Sequence, residues 1–194
     1  MQAVISLIPE PYTTRIKQIW DTLQAHFGLE YFRITPIPHF TWQLGEGYQE
    51  EEVLPLLHEL TLKQEPFEVR TNGLNYFPGE SPVLFIEVRK SLKLTKLHAL
   101  IWKQLFPFTC EPSPLYSVEN WQPHITLPTE DLGWQILDEV TKNLNHTNMK
   151  WRFKLDNLAI GCQHADDKAQ VEHIFCFGKG LTESFDCGLP AENA

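Results

Sequence analysis

The chain repeats one order of secondary structure, and this duplication limits its fold more than any other feature. In each copy a strand is followed by a helix, a short strand, a second helix and a further strand. The copies cover about residues 3–80 and 83–178. The segments are, in order, 3–8, 16–23, 38–42, 53–60 and 67–70, and then 83–88, 94–105, 123–127, 132–144 and 153–156. Two copies of one unit predict two similar lobes related by a pseudo-twofold axis.

The spacing of matched residues supports the duplication. Trp20 precedes His39 by 19 residues, and Trp102 precedes His124 by 22 residues. Each of these tryptophans directly follows an isoleucine. Several such agreements in the same order indicate a repeated unit rather than chance similarity.

The turns decide between two arrangements of these elements. Strands that alternate with helices can form a parallel, doubly wound sheet. The polar turns at 78–82 and 163–169, however, join consecutive strands directly, and this requires antiparallel pairing. We therefore predict an α+β fold with two lobes, each an antiparallel sheet with helices on its outer face, and an active-site cleft between them. Residues 1–178 would form this single bilobal domain, and residues 179–194 a flexible C-terminal tail.

Composition is that of an ordinary globular protein, with 42% hydrophobic and 21% charged residues. No apolar run approaches the roughly 20 residues needed to cross a bilayer, and residues 1–8 are typical of a strand rather than a signal peptide. We expect a cytoplasmic protein. The four cysteines show no paired spacing, so neither a disulfide framework nor a cysteine-rich zinc site is predicted.

The net charge of −9 restricts the partners. Neutralisation of phosphates supplies most of the affinity for long nucleic acids, and this requires a basic surface. Long duplex nucleic acid and anionic membranes are therefore poor partners, whereas an RNA terminus or a small cyclic nucleotide can bind in a local pocket. We expect a monomer, although no sequence pattern decides the oligomeric state.

Each copy contains the motif Pro-His-apolar-Thr in its short strand. Side chains at positions i and i+2 of a strand lie on the same face. His39 therefore shares a face with Thr41, and His124 with Thr126, while the apolar neighbours point to the opposite face. The pseudo-twofold axis would bring the two His-Thr pairs together across one cleft.

Two facing histidines suit cleavage of a phosphodiester. In-line displacement at phosphorus needs a base at the attacking oxygen and an acid at the leaving oxygen, on opposite sides of the phosphorus atom. The ordinary histidine pKa, near 6.5, allows one ring to be neutral and the other protonated near neutral pH. The hydroxyls of Thr41 and Thr126 can donate to the non-bridging oxygens, where charge develops. This chemistry requires neither a metal nor a cofactor.

Three interpretations remain open on the residues alone. A single Pro-His-apolar-Thr strand is more typical of a structural histidine, but two copies at matched positions favour a shared function. The first interpretation is an enzyme that acts by acid–base catalysis. The second is a non-catalytic binding module for phosphorylated RNA or nucleotide termini. The third is a duplicated scaffold with structural histidines. This interpretation is disfavoured because neither His-Thr pair lies on the apolar face of its strand.

The two motifs, 85 residues apart in a duplicated chain, resemble those of the two-histidine phosphoesterase superfamily. Its bacterial members are known as 2′-5′ RNA ligases or RNA 2′,3′-cyclic phosphodiesterases. The resemblance extends from Val4 to about Phe177. It implies metal-independent hydrolysis of 2′,3′-cyclic or related phosphodiesters, with reversible 2′-5′ ligation in some members. It also implies that His39 and His124 are catalytic and that Thr41 and Thr126 bind phosphate, but it does not identify the substrate.

Other aromatic and histidine side chains allow weaker predictions. Tyr116 and Trp121, in the long loop before the second motif, are candidates for stacking on a base, whereas Trp42 is expected in the core. The remaining histidines near helices are expected to be partly exposed, namely His26, His58, His98 and His146. A polar segment could suggest a metal site, but its spacing matches no recognised ligand pattern; it contains Cys162, His164, Asp166, Asp167 and His173.

Overall fold

The computed structural model describes residues 1–29, 36–127, 132–163 and 168–182. Within these ranges the chain is a mixture of helices and antiparallel strands, as the sequence predicts. The helices are α1 (Tyr12–Phe27), α2 (Glu50–Lys63), α3 (Leu92–Leu105) and α4 (Trp134–Leu144). Each buries an apolar stripe, and the Ser91 side chain caps α3 by accepting a hydrogen bond from the Leu94 amide, as predicted.

The larger sheet, sheet 1, has five antiparallel strands in the order β11-β10-β9-β1-β2. Its strands are β1 (Gln2–Leu7), β2 (His39–Gly45), β9 (Asn157–Cys162), β10 (Gln170–Cys176) and β11 (Gly180–Thr182). The first histidine motif opens β2, which is an edge strand of this sheet.

The smaller sheet, sheet 2, has four antiparallel strands in the order β7-β5-β4-β8. Its strands are β4 (Phe67–Phe77), β5 (Val83–Val88), β7 (His124–Thr126) and β8 (Arg152–Leu155). The second motif forms β7, which is again an edge strand. A separate short pair links β3 (Gly47–Tyr48) with β6 (Thr109–Cys110).

The pairing register repeats between the sheets, in agreement with the predicted twofold relation. His39 lies opposite Leu7 of β1, and His124 lies opposite Glu87 of β5. The residue that follows each of these partners donates its backbone N–H to the proline before the histidine, at 3.1 Å in both sheets. The two motifs thus occupy equivalent positions on equivalent edge strands.

The lobes do not coincide with the two sequence repeats. β4 belongs to the first repeat but pairs with β5 and β8 of the second, whereas β9 of the second repeat pairs with β1. The first repeat therefore supplies β4 to sheet 2, and the second repeat supplies β9 and β10 to sheet 1. Such pairing is decided by non-local contacts, so the spacing of motifs along the chain does not reveal it.

One large apolar core joins the outer faces of the sheets to the helices. α2 packs against β9, β10 and β11, and α3 packs against β2. A second, smaller group lies on the face of sheet 1 that carries His39, and we call it the cleft-face cluster. It consists of the buried residues Ile5, Ala159, Ile174 and Cys176 and the partly buried residues Ala3, Leu7 and Val171.

The C-terminal boundary differs from the prediction. Residues 180–182, which were predicted to belong to a flexible tail, form β11 against β10. The His58 ring on α2 accepts a hydrogen bond from the Leu181 amide at 2.9 Å, which fixes this strand to the helix. β11 has only three residues, too few to show the alternation that predicts a strand from sequence. Residues 183–194 of the predicted tail lie outside the described residues.

The described helices include none that is long and apolar enough to cross a membrane. Cys176 is disulfide-bonded, although the cysteine spacing does not predict a disulfide. Cys110 and Cys162 are not disulfide-bonded, and Cys187 lies outside the described residues.

Candidate active site

The first motif presents a histidine and a hydroxyl on one face of β2, as alternation predicts. His39 and Thr41 are half-buried, whereas Phe40 and Trp42 are completely buried on the opposite face. A β-bulge at Trp42 shifts the register between β1 and β2. The bulge restores Leu44 to the face of His39 and Thr41, and all three side chains line the same cavity.

The second motif repeats this arrangement on β7. His124 and Thr126 are half-buried, while the intervening Ile125 is completely buried. Two phenylalanines lie against the second histidine: the Phe77 ring meets His124 edge-on at 4.9 Å between centroids, and Phe85 lies at 5.3 Å. The His39 side chain instead lies across from Leu7 and beside the cleft-face cluster.

Each histidine ring is held by a backbone carbonyl two residues before it. His39 Nδ1 lies 2.6 Å from the Ile37 oxygen, and His124 Nδ1 lies 2.6 Å from the Gln122 oxygen. A carbonyl oxygen can only accept, so in both rings Nδ1 carries the donated proton. The hydrogen bonds orient the rings and leave Nε2 of each available for proton transfer.

Burial lowers the pKa of both histidines below the ordinary value of 6.5, because the charged ring loses solvation. The Ile37 carbonyl opposes this effect at His39, and the nearby His124 lowers the pKa of His39 further. At His124 the Gln122 carbonyl opposes the effect of burial. The strands that carry the two histidines, β2 and β7, contact each other.

A cavity of about 190 Å³ adjoins the motifs. His39, Thr41 and Thr126 line it together with Tyr116, so it receives side chains from both edge strands. His124 is not among its lining residues. The cavity continues over sheet 1, where its floor includes Ala3, Ile5, Leu44 and Gly161. None of the described lining residues is a lysine or an arginine.

Of the two aromatic residues predicted to stack on a base, the structure places only Tyr116 at the cavity. The prediction for Trp121 is wrong, because its side chain is only 1% exposed. Its ring packs against His98 and Trp42, and its indole N–H donates to the Thr41 carbonyl at 2.9 Å. Trp42 is in the core, as expected.

The prediction that His98 is partly exposed is also wrong. His98 is 1% exposed and stacks on Trp121 with 3.9 Å between ring centroids. Burial lowers its pKa to about 4. The apolar stripe of α3 contained the signal for this position, because His98 follows Leu94 by four residues and precedes Ile101 by three.

Metal ligands do not converge anywhere in the described part of the chain: no group of three or more histidine, cysteine, aspartate or glutamate side chains is placed to hold an ion. Of the polar segment with possible ligands, Cys162 and His173 are described, whereas His164, Asp166 and Asp167 lie outside the described residues.

Comparison with known proteins gives a family for this chain. A family model described as the 2′-5′ RNA ligase superfamily matches residues 9–167. A search of curated proteins found no match. Among solved structures, TT0787 of Thermus thermophilus is 18% identical, with a TM-score of 0.65, and the alignment covers 91% of this chain and 97% of that one. E. coli LigT complexed with 3′-AMP is 16% identical, with a TM-score of 0.60 and coverages of 88% and 92%. At these identities the likeness to solved structures supports the fold.

Proposed function

The chain belongs to the 2′-5′ RNA ligase superfamily, and from this premise and the geometry of its site we propose that it hydrolyses a 2′,3′-cyclic or 2′-linked phosphodiester. The substrate is an RNA end or a small nucleotide. Reversible 2′-5′ ligation, in which a 5′-hydroxyl attacks the cyclic phosphate in place of water, is a second candidate reaction of the same site. One observation carries the proposal. Two equivalent His-x-Thr strands contact each other, and in each the histidine donates through Nδ1 to a carbonyl, which leaves Nε2 as the nitrogen for proton transfer.

The proposed reaction uses the two rings in opposite protonation states. The neutral ring takes a proton from water through Nε2 as the water oxygen attacks phosphorus. The protonated ring gives the proton on its Nε2 to the 2′ or 3′ oxygen as the phosphorus–oxygen bond breaks. The product is a phosphomonoester, and the pair ends with its protons exchanged. Proton transfers of this kind each contribute roughly 10²–10⁴-fold to the rate.

The two threonines complete the proposed phosphate site. Thr41 and Thr126 line the cavity from opposite sheets. Their hydroxyls can donate to the two non-bridging oxygens, which gain charge in the transition state. We assign them this role because a hydroxyl beside each histidine places acid–base groups and phosphate donors within the same cleft.

The cavity provides space for a base beside the phosphate site. Its volume of about 190 Å³ is smaller than the roughly 300–1,000 Å³ typical of pockets for drug-sized ligands. The space suits one planar ring system over the apolar floor of Ala3 and Gly161, with Tyr116 as the candidate stacking partner. The proposed substrate therefore presents one nucleoside to the cleft, and longer RNA leaves it through solvent. We further propose that the enzyme works as a cytoplasmic monomer.

Incubation with nucleoside 2′,3′-cyclic phosphates and with a cyclic-ended oligonucleotide tests the function directly. Reactions with and without EDTA should give the same phosphomonoester, because two histidines supply both the acid and the base. Tight binding of these compounds without any product would favour a non-catalytic binding module. Turnover that EDTA abolishes and a divalent ion restores would contradict the metal-independent mechanism.

A further inference from the structure

We propose that Trp121 is a positioning residue that fixes the phosphate-binding strand of the first motif through the Thr41 backbone. This inference rests on the function proposed above, because it assumes that Thr41 holds phosphate. Three side chains form the arrangement, which we call the aromatic stack: His98 of α3, Trp121 of the loop before β7, and Trp42 of β2.

The aromatic stack is tightly packed and buried. The rings of His98 and Trp121 are almost parallel, with 2° between their planes and 3.9 Å between their centroids. Trp121 and Trp42 are inclined by 15° with 5.3 Å between their centroids. All three side chains are at most 1% exposed. His98 covers one face of the Trp121 indole and Trp42 packs against it from another side, with 6.5 Å between the centroids of His98 and Trp42, so the position of the indole is restricted.

Each ring of the aromatic stack also makes a hydrogen bond. Trp121 Nε1 donates to the Thr41 carbonyl at 2.9 Å, and Trp42 Nε1 donates to Ser6 Oγ at 2.8 Å. His98 Nε2 lies 3.1 Å from the Tyr116 carbonyl, to which it can only donate. The stack thus ties down both the strand that carries Thr41 and the loop that carries Tyr116.

The bond to Thr41 meets a requirement of the sheet. Thr41 lies opposite Ile5, two positions from His39, in a pair whose backbone groups point away from β1. β2 is an edge strand, so no other described strand of sheet 1 satisfies the outward carbonyl of Thr41. Trp121 supplies the donor, and it does so from a segment that leads two residues later to Pro123 and the second motif. One hydrogen bond, from the Trp121 side chain, therefore joins the backbone of the first motif to the segment that precedes the second motif.

Loss of this bond should affect catalysis through the Thr41 hydroxyl. The hydroxyl is attached to the backbone that Trp121 holds, and misplacement of a positioned group by about 1 Å can cost 10²-fold in rate. Trp121→Phe keeps an aromatic ring in the stack but removes the N–H donor. We expect kcat for a nucleoside 2′,3′-cyclic phosphate to fall by roughly 10–100-fold, while KM changes much less.

Trp151→Phe is the matched control. Trp151 is also buried, at 5% exposure, and its Nε1 also donates to a backbone carbonyl, that of Asn148. Its partner is remote from the motifs, so this variant should lose stability to a similar extent and retain the wild-type kcat. Melting temperatures of both variants measure the common structural effect. Equal kcat values for Trp121→Phe and Trp151→Phe would overturn the proposal.

A double-mutant cycle with Thr41→Ala separates positioning from general damage. Removal of the hydroxyl should itself lower kcat by about 10²–10³-fold, by analogy with oxyanion donors. Once the hydroxyl is absent its position is irrelevant, so Trp121→Phe should cause no further loss in that background. A loss of the same factor in both backgrounds would show that Trp121 does not act through Thr41.

Variants at His98 provide a second test if Trp121→Phe does not fold. His98→Ala removes one neighbour of the indole and should lower kcat, whereas His98→Phe, which restores a ring at the same place, should recover most of it. Equal kcat values for these two variants would refute the stack's role. An inactive wild type would refute the proposed function and the inference together, whereas an active wild type that is impaired by Thr41→Ala alone would refute only the inference.

Discussion

At the scale of single residues, the hydrogen bonds of the proposed catalytic pair decide which atoms are available to react. The carbonyls of Ile37 and Gln122 occupy Nδ1 of His39 and His124, so both proposed proton transfers pass through Nε2. Burial makes each ring less basic than a histidine in water. The two rings therefore bind protons at lower pH than an exposed histidine does, and the activity should reflect this.

The pH dependence of kcat/KM should be bell-shaped, with its maximum on the acidic side of pH 6.5. Catalysis needs one neutral and one protonated ring, and both pKa values are lowered in the free enzyme. The limbs belong to the coupled pair rather than to either residue. A bound anionic phosphate favours the protonated ring, so the maximum of kcat should lie at higher pH than that of kcat/KM. A kcat/KM maximum above pH 7 would contradict the lowered pKa values.

The division between base and acid should appear in variants assayed with different leaving groups. His39 and His124 each donate through Nδ1 to the carbonyl two residues earlier, so their hydrogen bonds do not distinguish the base from the acid. Replacement of either with alanine should remove most activity on a nucleoside cyclic phosphate, and the double variant should be little worse than the worse single variant. A substrate with a much better leaving group scarcely needs protonation. It should rescue the variant that lacks the acid and leave the other inactive; equal rescue of both would contradict the assignment.

At the scale of secondary-structure elements, the sequence predicted what depends on local pattern. The apolar stripes located all four helices, Ser91 was identified as the cap of α3, and alternation placed the motif side chains on one face of β2 and β7. Local pattern could not predict that β4 crosses to the other repeat's sheet, because strand partners are chosen by contacts far apart in sequence. It also could not show which way Trp121 points, since a loop has no periodicity that reveals its buried side.

The buried His98 of α3 should make the fold sensitive to acid. Its pKa is about 4 in the folded protein, compared with 6.5 for the ordinary side chain. The unfolded chain therefore binds a proton that the folded chain excludes, and the free energy of unfolding should fall as the pH decreases from about 6.5 to 4. The difference corresponds to roughly 3 kcal/mol. Above pH 6.5 His98 should not contribute to the pH dependence of the free energy of unfolding.

Urea unfolding of wild type and His98→Phe across this pH range measures the effect. The phenylalanine variant should lose about 3 kcal/mol of the pH dependence, while His39 and His124, whose pKa values are also lowered, should leave a residual slope of the same sign. His146→Phe is a suitable control because His146 is exposed on the surface. If His98→Phe leaves the pH dependence of the free energy of unfolding unchanged, the pKa of His98 is the same in the folded and unfolded chains, which would contradict the prediction.

At the scale of the whole molecule, charge and shape together favour a compact substrate. The chain carries a net charge of −9, and the described residues around the cavity include no lysine or arginine. On the proposed function, the two threonines, the protonated histidine and contact of one base with the apolar floor supply the binding energy. A long RNA chain would approach an acidic protein surface and gain little from further phosphates.

Substrate affinity should therefore depend only weakly on salt. A protein that makes about 6–10 phosphate contacts loses roughly 10³–10⁵-fold in affinity between 50 and 200 mM salt, whereas neutralisation of one phosphate should cost less than about tenfold over the same range. The dissociation constants of a nucleoside 2′-phosphate and of a long single-stranded RNA with the same terminus provide the comparison, with the His39→Ala variant used to prevent turnover. Both ligands should show the same shallow slope, because only the terminus is bound. A much steeper slope for the long RNA would demonstrate an extended basic groove, and with it a substrate of a different class.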